Sequence, residues 1–174
     1  MWTLITLYAT LWIVFHLGSG YVAHRLPLHL LVALPVIGSS YTWEEKGKFY
    51  AWLWIRRWKD ALPEAGGFFR GGFCKRHLHG TDANDLDRFA QETCRAEYSH
   101  WLTWSMALTF FAWNPWQIGV VMLIYGAVTN APFILVQRYN RARLRRILST
   151  LDRRAHRNQA SLPAHAVTDE REIE

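Results

Sequence analysis

Apolar residues run almost unbroken from Trp2 to Tyr21 and again from Trp116 to Val136. Each run is roughly 20 residues, about 30 Å as a helix, which matches the hydrocarbon core of a membrane. A third long helix is predicted from near Asn84 to Trp113. Thr81 and Asp82 offer N-cap chemistry at its start. Leu86, Phe89, Ala90, Thr93, Glu97, His100 and Trp104 then recur at three- and four-residue spacing, so they share one face. Its second half, 97–113, makes a third span, joined to the last one through the Asn114-Pro115 turn. Arg88 and Arg95 fall on roughly the opposite face, toward water or head groups.

Between these long elements the pattern is less regular. The apolar stretch 26–37 is interrupted by Pro27 and Pro35 and is too short to span, which predicts a re-entrant or interfacial segment. From 44 to 62, Ala51, Trp54, Ile55, Trp58 and Leu62 form an apolar stripe among lysines and arginines, as in an amphipathic interfacial helix ended by Pro63. Gly66 to Phe73 reads as a loop without the lysine spacing of a phosphate loop. The expected fold is therefore all-α and integral to a membrane, with about three spans (2–21, 97–113, 116–137). Residues 1–157 form one membrane domain with a loop at 38–96, and 158–174 a disordered polar, acidic tail.

Composition sharpens this picture. The 174 residues include 10 Trp, 9 Phe and 7 Tyr, and the net charge is +6. So many aromatic rings in so short a chain call for a lipid boundary. Lys and Arg concentrate from Arg25 to Arg95 and from Arg138 to Arg157, while 1–15 and 105–130 contain none. The positive-inside rule then places both basic segments in the cytoplasm and the amino terminus outside. Basic residues beside apolar runs point to membrane lipids as partners and away from nucleic acid. Cys74 and Cys94 follow no metal or disulfide spacing and read as reduced thiols.

Two constellations carry candidate chemistry. Glu97 and His100 continue the inward stripe of the third helix, where an ionisable group is costly to desolvate and so a candidate for function; the structural alternative is a buried Glu-His hydrogen bond that only orients helices. In the last helix Asn130, Ile134, Gln137, Arg138 and Arg141 lie on one side, with Asn130 about 10 Å deeper than Gln137. Pro132 would free a carbonyl that Asn130 or a ligand satisfies, while interhelical glue is the alternative role for Asn130. His77 follows Lys75-Arg76 in the loop. His77-x-His79 and the single Glu97-x-x-His100 lack the repeated boxes of a di-iron site, so no metal is expected.

The segments Trp58-Lys59, Arg76-His77-Leu78, Glu92 to Trp101, Asn130-Ala131-Pro132 and Gln137 to Leu144 resemble the glycosyl-4,4'-diaponeurosporenoate acyltransferases, small bacterial membrane proteins of carotenoid biosynthesis. The likeness runs in order from about Glu45 to Arg157. It implies transfer of a fatty acyl group from a thioester, acyl-coenzyme A or acyl carrier protein, to a sugar hydroxyl of a glycosylated carotenoid or related glycolipid. It implies no cofactor, a multi-pass inner-membrane location and a site facing the cytoplasm. Such a reaction needs a base, oxyanion donors and cations for the carrier's phosphates. His100 oriented by Glu97 is the expected base, with His77 as the alternative. Asn130 or Gln137 would donate to the oxyanion. Trp58, Lys59, Arg76, Arg138, Asn140 and Arg141 complete the expected substrate-binding set. A non-catalytic membrane subunit that binds lipid or an enzyme is the competing reading; the oligomeric state is open.

Overall fold

The computed structural model describes residues 2–39, 41, 44, 48–62 and 83–160, and all regular structure among them is helical. Seven α-helices follow in order: α1 (Trp2–Arg25), α2 (Leu28–Ala33), α3 (Pro35–Gly38), α4 (Lys48–Trp52), α5 (Ile55–Trp58), α6 (Ala83–Met106) and α7 (Trp116–Ala160). Two of them, α1 and α7, are long and apolar enough to cross a membrane. The region expected as the third span is helical as far as Ala112, but its winding changes. α-Helix ends at Met106 and a 3-10 helix, Ala107–Ala112, carries the chain to the turn at Asn114, whose amide donates to Phe110 O at 3.0 Å. Tighter winding at a helix end satisfies carbonyls that would otherwise lack partners.

α1, α6 and α7 form an antiparallel set whose polar contacts read like rungs. Tyr8 donates its hydroxyl to Asn114 Oδ1 (2.6 Å) at the aromatic end, the hydroxyls of Ser19 and Thr103 meet in the middle, and Trp104 Nε1 donates to Leu123 O (3.1 Å). Between the first two rungs Trp12, Phe110 and Ala107 make an apolar core. Gly126 lets it close. A Cβ there would lie 2.9 Å from Trp12 and 3.0 Å from Trp104, so only glycine admits both indoles against α7. At the other end Arg95 donates through Nη1 to the carbonyls of Ala23 (2.7 Å), His24 (2.7 Å) and Leu26 (3.2 Å). Contrary to its expected place facing water or head groups, Arg95 caps α1, because the last carbonyls of a helix carry partial negative charge and need donors. Arg88 is exposed as expected.

The proline-broken stretch 26–37 folds as α2 and α3, separated at Leu34, which Pro35 holds extended (φ −67, ψ 123). Both pack on α6. The stretch 44–62 is not the single amphipathic helix that the stripe predicts. Trp54 takes a left-handed conformation (φ 52), dividing α4 from α5, and a 3-10 turn at Lys59–Ala61 follows. Tyr50 and Ile55, one on either side of the break, both reach a cluster with Val136, Tyr139 and Ala142 of α7, whereas Trp54 stays exposed. A continuous helix would have kept Trp54 on the packed stripe. Packing two short turns around one face of α7 outweighs the local cost of the backbone at Trp54. α7 runs on to Ala160, three residues into the segment expected as tail.

Candidate functional site

The inward stripe of α6 brings Glu97 to the only place in the described structure where two carboxylates and two guanidiniums share one buried cluster. Glu97 is 0% exposed. Its Oε1 accepts from Arg138 Nη1 (2.9 Å) and Trp101 Nε1 (3.2 Å), and its Oε2 from Arg141 Nη2. Arg141 also reaches Thr93 Oγ1 at 3.3 Å. Arg138 bridges onward to Glu44, through Nε at 2.6 Å and Nη2 at 3.2 Å, and donates to Val36 O at 2.9 Å. Tyr50 Oη (2.9 Å) and Tyr41 N (3.0 Å) complete the donors around Glu44. Burial alone would raise the Glu44 carboxyl, but the Arg138, Tyr41 and Tyr50 hydrogen bonds outweigh it and hold the group below the usual range. The cluster is formally neutral, and every charge in it is paired, which is what makes its burial tolerable.

One turn further along α6, toward the apolar interior, His100 Nδ1 lies 3.0 Å from Asn130 Oδ1. The Asn130 amide nitrogen donates to Gly126 O (2.9 Å) and to Thr129 Oγ1 (3.2 Å), so its oxygen is the atom left to face the imidazole. That orientation makes His100 Nδ1 the protonated nitrogen and leaves Nε2 with its lone pair. Phe133 stacks on the ring at 4.7 Å between centroids and fixes its plane. Asn130 is 0% exposed, while His100 is only partly buried. A base whose one nitrogen is held by an amide oxygen and whose other is bare can take a proton from a hydroxyl.

Of the expected residues, the structure brings together Glu97, His100, Asn130, Arg138 and Arg141, but pairs them differently from the expectation. Glu97 does not contact His100 by hydrogen bond. Its oxygens are taken by Arg138, Arg141 and Trp101, and Asn130 orients the imidazole instead. Asn130 is thereby withdrawn from the oxyanion role, since its donors are committed to Gly126 and Thr129. It does not bond the carbonyl of Val128, the one Pro132 leaves without an amide partner. Gln137 is half-buried on the same side of α7, and its side chain has no hydrogen bond to another described residue, so its amide is open to a ligand. Arg138 and Arg141 are neutralised by carboxylates and are poorly suited to hold phosphates.

Trp58 and Lys59 lie apart from this centre. Trp58 Nε1 donates to Leu53 O (3.0 Å) and its ring packs on the Tyr50–Tyr139 cluster, while Lys59 pairs with Asp60. Asn140 is half-buried on α7. Arg76, His77 and Cys74 fall outside the described residues, as do the Gly66 to Phe73 loop, Thr81, Asp82 and the acidic tail. Cys94 is a buried free thiol that burial pushes up in pKa, a poor nucleophile. Glu44 was missed by sequence reasoning. Its signal was available: Glu44 and Glu45 are the first acidic residues of the chain, set among aromatic and basic neighbours.

The family model for glycosyl-4,4'-diaponeurosporenoate acyltransferases matches residues 35–150. Curated relatives bearing that name are found in Staphylococcus aureus. Those of the bovine strain RF122 / ET3-1 and of strain MRSA252 are 30% identical over 148 residues, and that of strain USA300 is 29% identical. Each alignment covers 84% of this chain and 89% of the relative. No solved structure matches. The matched span holds α6 and α7 through Thr150, and with them Glu97, His100, Asn130, Arg138 and Arg141.

Proposed function

Since the chain belongs to the glycosyl-4,4'-diaponeurosporenoate acyltransferase family and is an acyltransferase, we propose that it moves a fatty acyl group from a thioester donor to a sugar hydroxyl of a glycosylated carotenoid or a related glycolipid. The donor is acyl-coenzyme A or acyl carrier protein, and no cofactor takes part. The reaction takes place at the cytoplasmic face of a bacterial membrane. α1, α7 and the 97–112 stretch of α6 and its 3-10 extension cross the bilayer. In support of that placement, Leu4, Ile5, Ile13 and Val14 of α1 and Val121, Ile124 and Val128 of α7 leave an exposed apolar surface on both long helices. The arginines collect at one end.

The observation that carries the chemistry is the His100–Asn130 pair. His100 Nε2 takes the proton of the sugar hydroxyl as its oxygen attacks the thioester carbonyl. The Nδ1–H bond to Asn130 holds the ring in the tautomer that makes this possible and stabilises the imidazolium. Gln137 is the candidate donor to the carbonyl oxygen as negative charge develops on it. When the tetrahedral intermediate collapses, the C–S bond breaks and the leaving thiolate takes the proton back from His100. Transfer is direct, with no acyl-enzyme. Glu97, Arg138, Arg141 and Glu44 position the two helices that carry the pair.

Membranes from cells producing the His100→Ala variant should transfer labelled acyl chains at least about 100-fold more slowly than wild type, the contribution of a placed general base. Undiminished transfer at equal protein level sinks His100 as the base. Loss in His77→Ala with retention in His100→Ala reassigns the role to the loop histidine.

A further inference from the structure

Arg56 of α5 and Arg143, Arg146 and Arg154 of α7 converge on an open groove of about 520 Å³, with Tyr139 and Thr150 between them. On α7 the groove residues recur every three or four positions and form one stripe. At 3.6 residues per turn this stripe lies on the side of the helix opposite Asn130, Gln137 and Arg141, so the groove is separate from the His100 centre. None of the four guanidiniums has a carboxylate partner among the described residues, unlike Arg138 and Arg141. Asp152 projects from the other side of α7 and faces His156, and Asp60 pairs with Lys59. Arg146 uses Nε on its own helix, at Ala142 O (3.3 Å), which leaves its terminal nitrogens for a ligand.

The surroundings say what that ligand is. A second cavity of about 260 Å³ adjoins through Arg56 and is walled by Trp54 and Arg57. Arg57 lies 4.0 Å over the Trp54 ring, and Trp52, two residues earlier in the chain, is 74% exposed. Exposed indoles next to guanidiniums that lack carboxylate partners among the described residues are the composition of a head-group layer, with rings at the boundary and cations at phosphates. The level fits as well. Tyr50 packs on Tyr139 at 5.5 Å, which sets α4 and α5 beside the point where the apolar run of α7 gives way to Arg138. Arg143 comes five residues later, about 7.5 Å along the helix, at the depth of a head-group layer roughly 5–8 Å thick.

The geometry points to a binding site for the phosphate esters of an anionic lipid head group in the cytoplasmic leaflet. This inference rests on the membrane placement proposed above and not on the acyl-transfer chemistry. Four guanidiniums without a carboxylate partner among the described residues favour a head group with two phosphates, such as diphosphatidylglycerol, over one with a single phosphate.

The test is native mass spectrometry of the full chain in detergent. The probes are diphosphatidylglycerol, phosphatidylglycerol, phosphatidylcholine and, as a soluble polyphosphate, coenzyme A. Diphosphatidylglycerol should bind most tightly and phosphatidylcholine least. The double variant Arg143→Gln/Arg146→Gln should weaken diphosphatidylglycerol binding roughly 30-fold. Arg153→Gln/Arg157→Gln removes the same charge from exposed positions outside the groove and should weaken it by no more than about threefold. Equal weakening in both doubles reduces the site to diffuse charge and overturns the proposal. Coenzyme A displacing the lipid from wild type but not from the groove variant assigns the groove to a soluble donor and overturns it as well. Unchanged helical circular dichroism shows that each variant is folded. Retention of wild type in carbonate-washed membranes reads the membrane placement by itself, so its failure is distinguishable.

Discussion

Replacing Glu97 by Gln removes one charge from a cluster in which every charge has a partner, and the geometry says which group suffers. Arg138 keeps Glu44, to which it donates at 2.6 and 3.2 Å. Arg141 keeps only the Thr93 hydroxyl at 3.3 Å, and its side chain is 3% exposed. The cost is therefore that of an uncompensated buried guanidinium, about 3–5 kcal/mol. For a chain of this length each kcal/mol lowers Tm by about 2–4 °C, so the loss is roughly 6–20 °C. Thermal aggregation of a detergent-solubilised fluorescent fusion, followed by size-exclusion chromatography, reads this directly. The double variant Glu97→Leu/Arg141→Met, which removes both members of the pair, should recover more than half of the loss, because apolar replacement of a whole buried pair is often neutral. A Glu97→Gln protein as stable as wild type, or a double variant no better than the single, refutes the claim that Glu97 stabilises by neutralising Arg141.

Asn130→Ala should lower kcat about 100-fold with little change in KM, since it removes the acceptor that holds the Nδ1–H tautomer without touching substrate; an unchanged kcat in a donor-saturated assay removes Asn130 from the site. Glu44 predicts an acid limb of stability. Its carboxyl is held below the ordinary value of 4.5, so it contributes stability above that pH and loses it as pH falls through the depressed value. Tm of wild type should drop more than that of Glu44→Gln as pH is lowered from about 5 to about 2, and parallel curves over that range would contradict this. Gly126→Leu should destabilise by about 1–3 kcal/mol as Trp12 and Trp104 are forced off α7, seen as a lower Tm and a shift in tryptophan emission.

The long elements were legible because an unbroken apolar run of about 20 residues, or a 3.6-residue period sustained over as many, has few alternative readings. The inward stripe of α6 and the Asn130–Arg141 side of α7 were visible from spacing, and the turn from its Asn114-Pro115 pair. Partnership was not. Glu97 and His100 are neighbours on one helix face, which makes a Glu-His bond the natural expectation. The partners that won, Arg138, Arg141 and Asn130, come from a helix 30 to 44 positions away. Spacing within a helix says which side chains share a face, not which distant donor arrives first. The break at Trp54 was hidden for a related reason. Ala51, Trp54 and Ile55 fit a stripe on paper, but the path around α7 is decided by the Tyr50–Tyr139 contact, which no local pattern encodes.

The guanidinium of Arg95 ties down the end of α1 from 72 positions further along the chain. During synthesis the first helix is therefore complete long before the group that satisfies its final carbonyls exists. Until the first half of α6 has emerged, that end must be served by water or by lipid, and only afterwards can it be locked. The order of assembly is thus written into one side chain: α1 waits, α6 arrives and closes its terminus, and α7 then joins through Arg138 and Arg141.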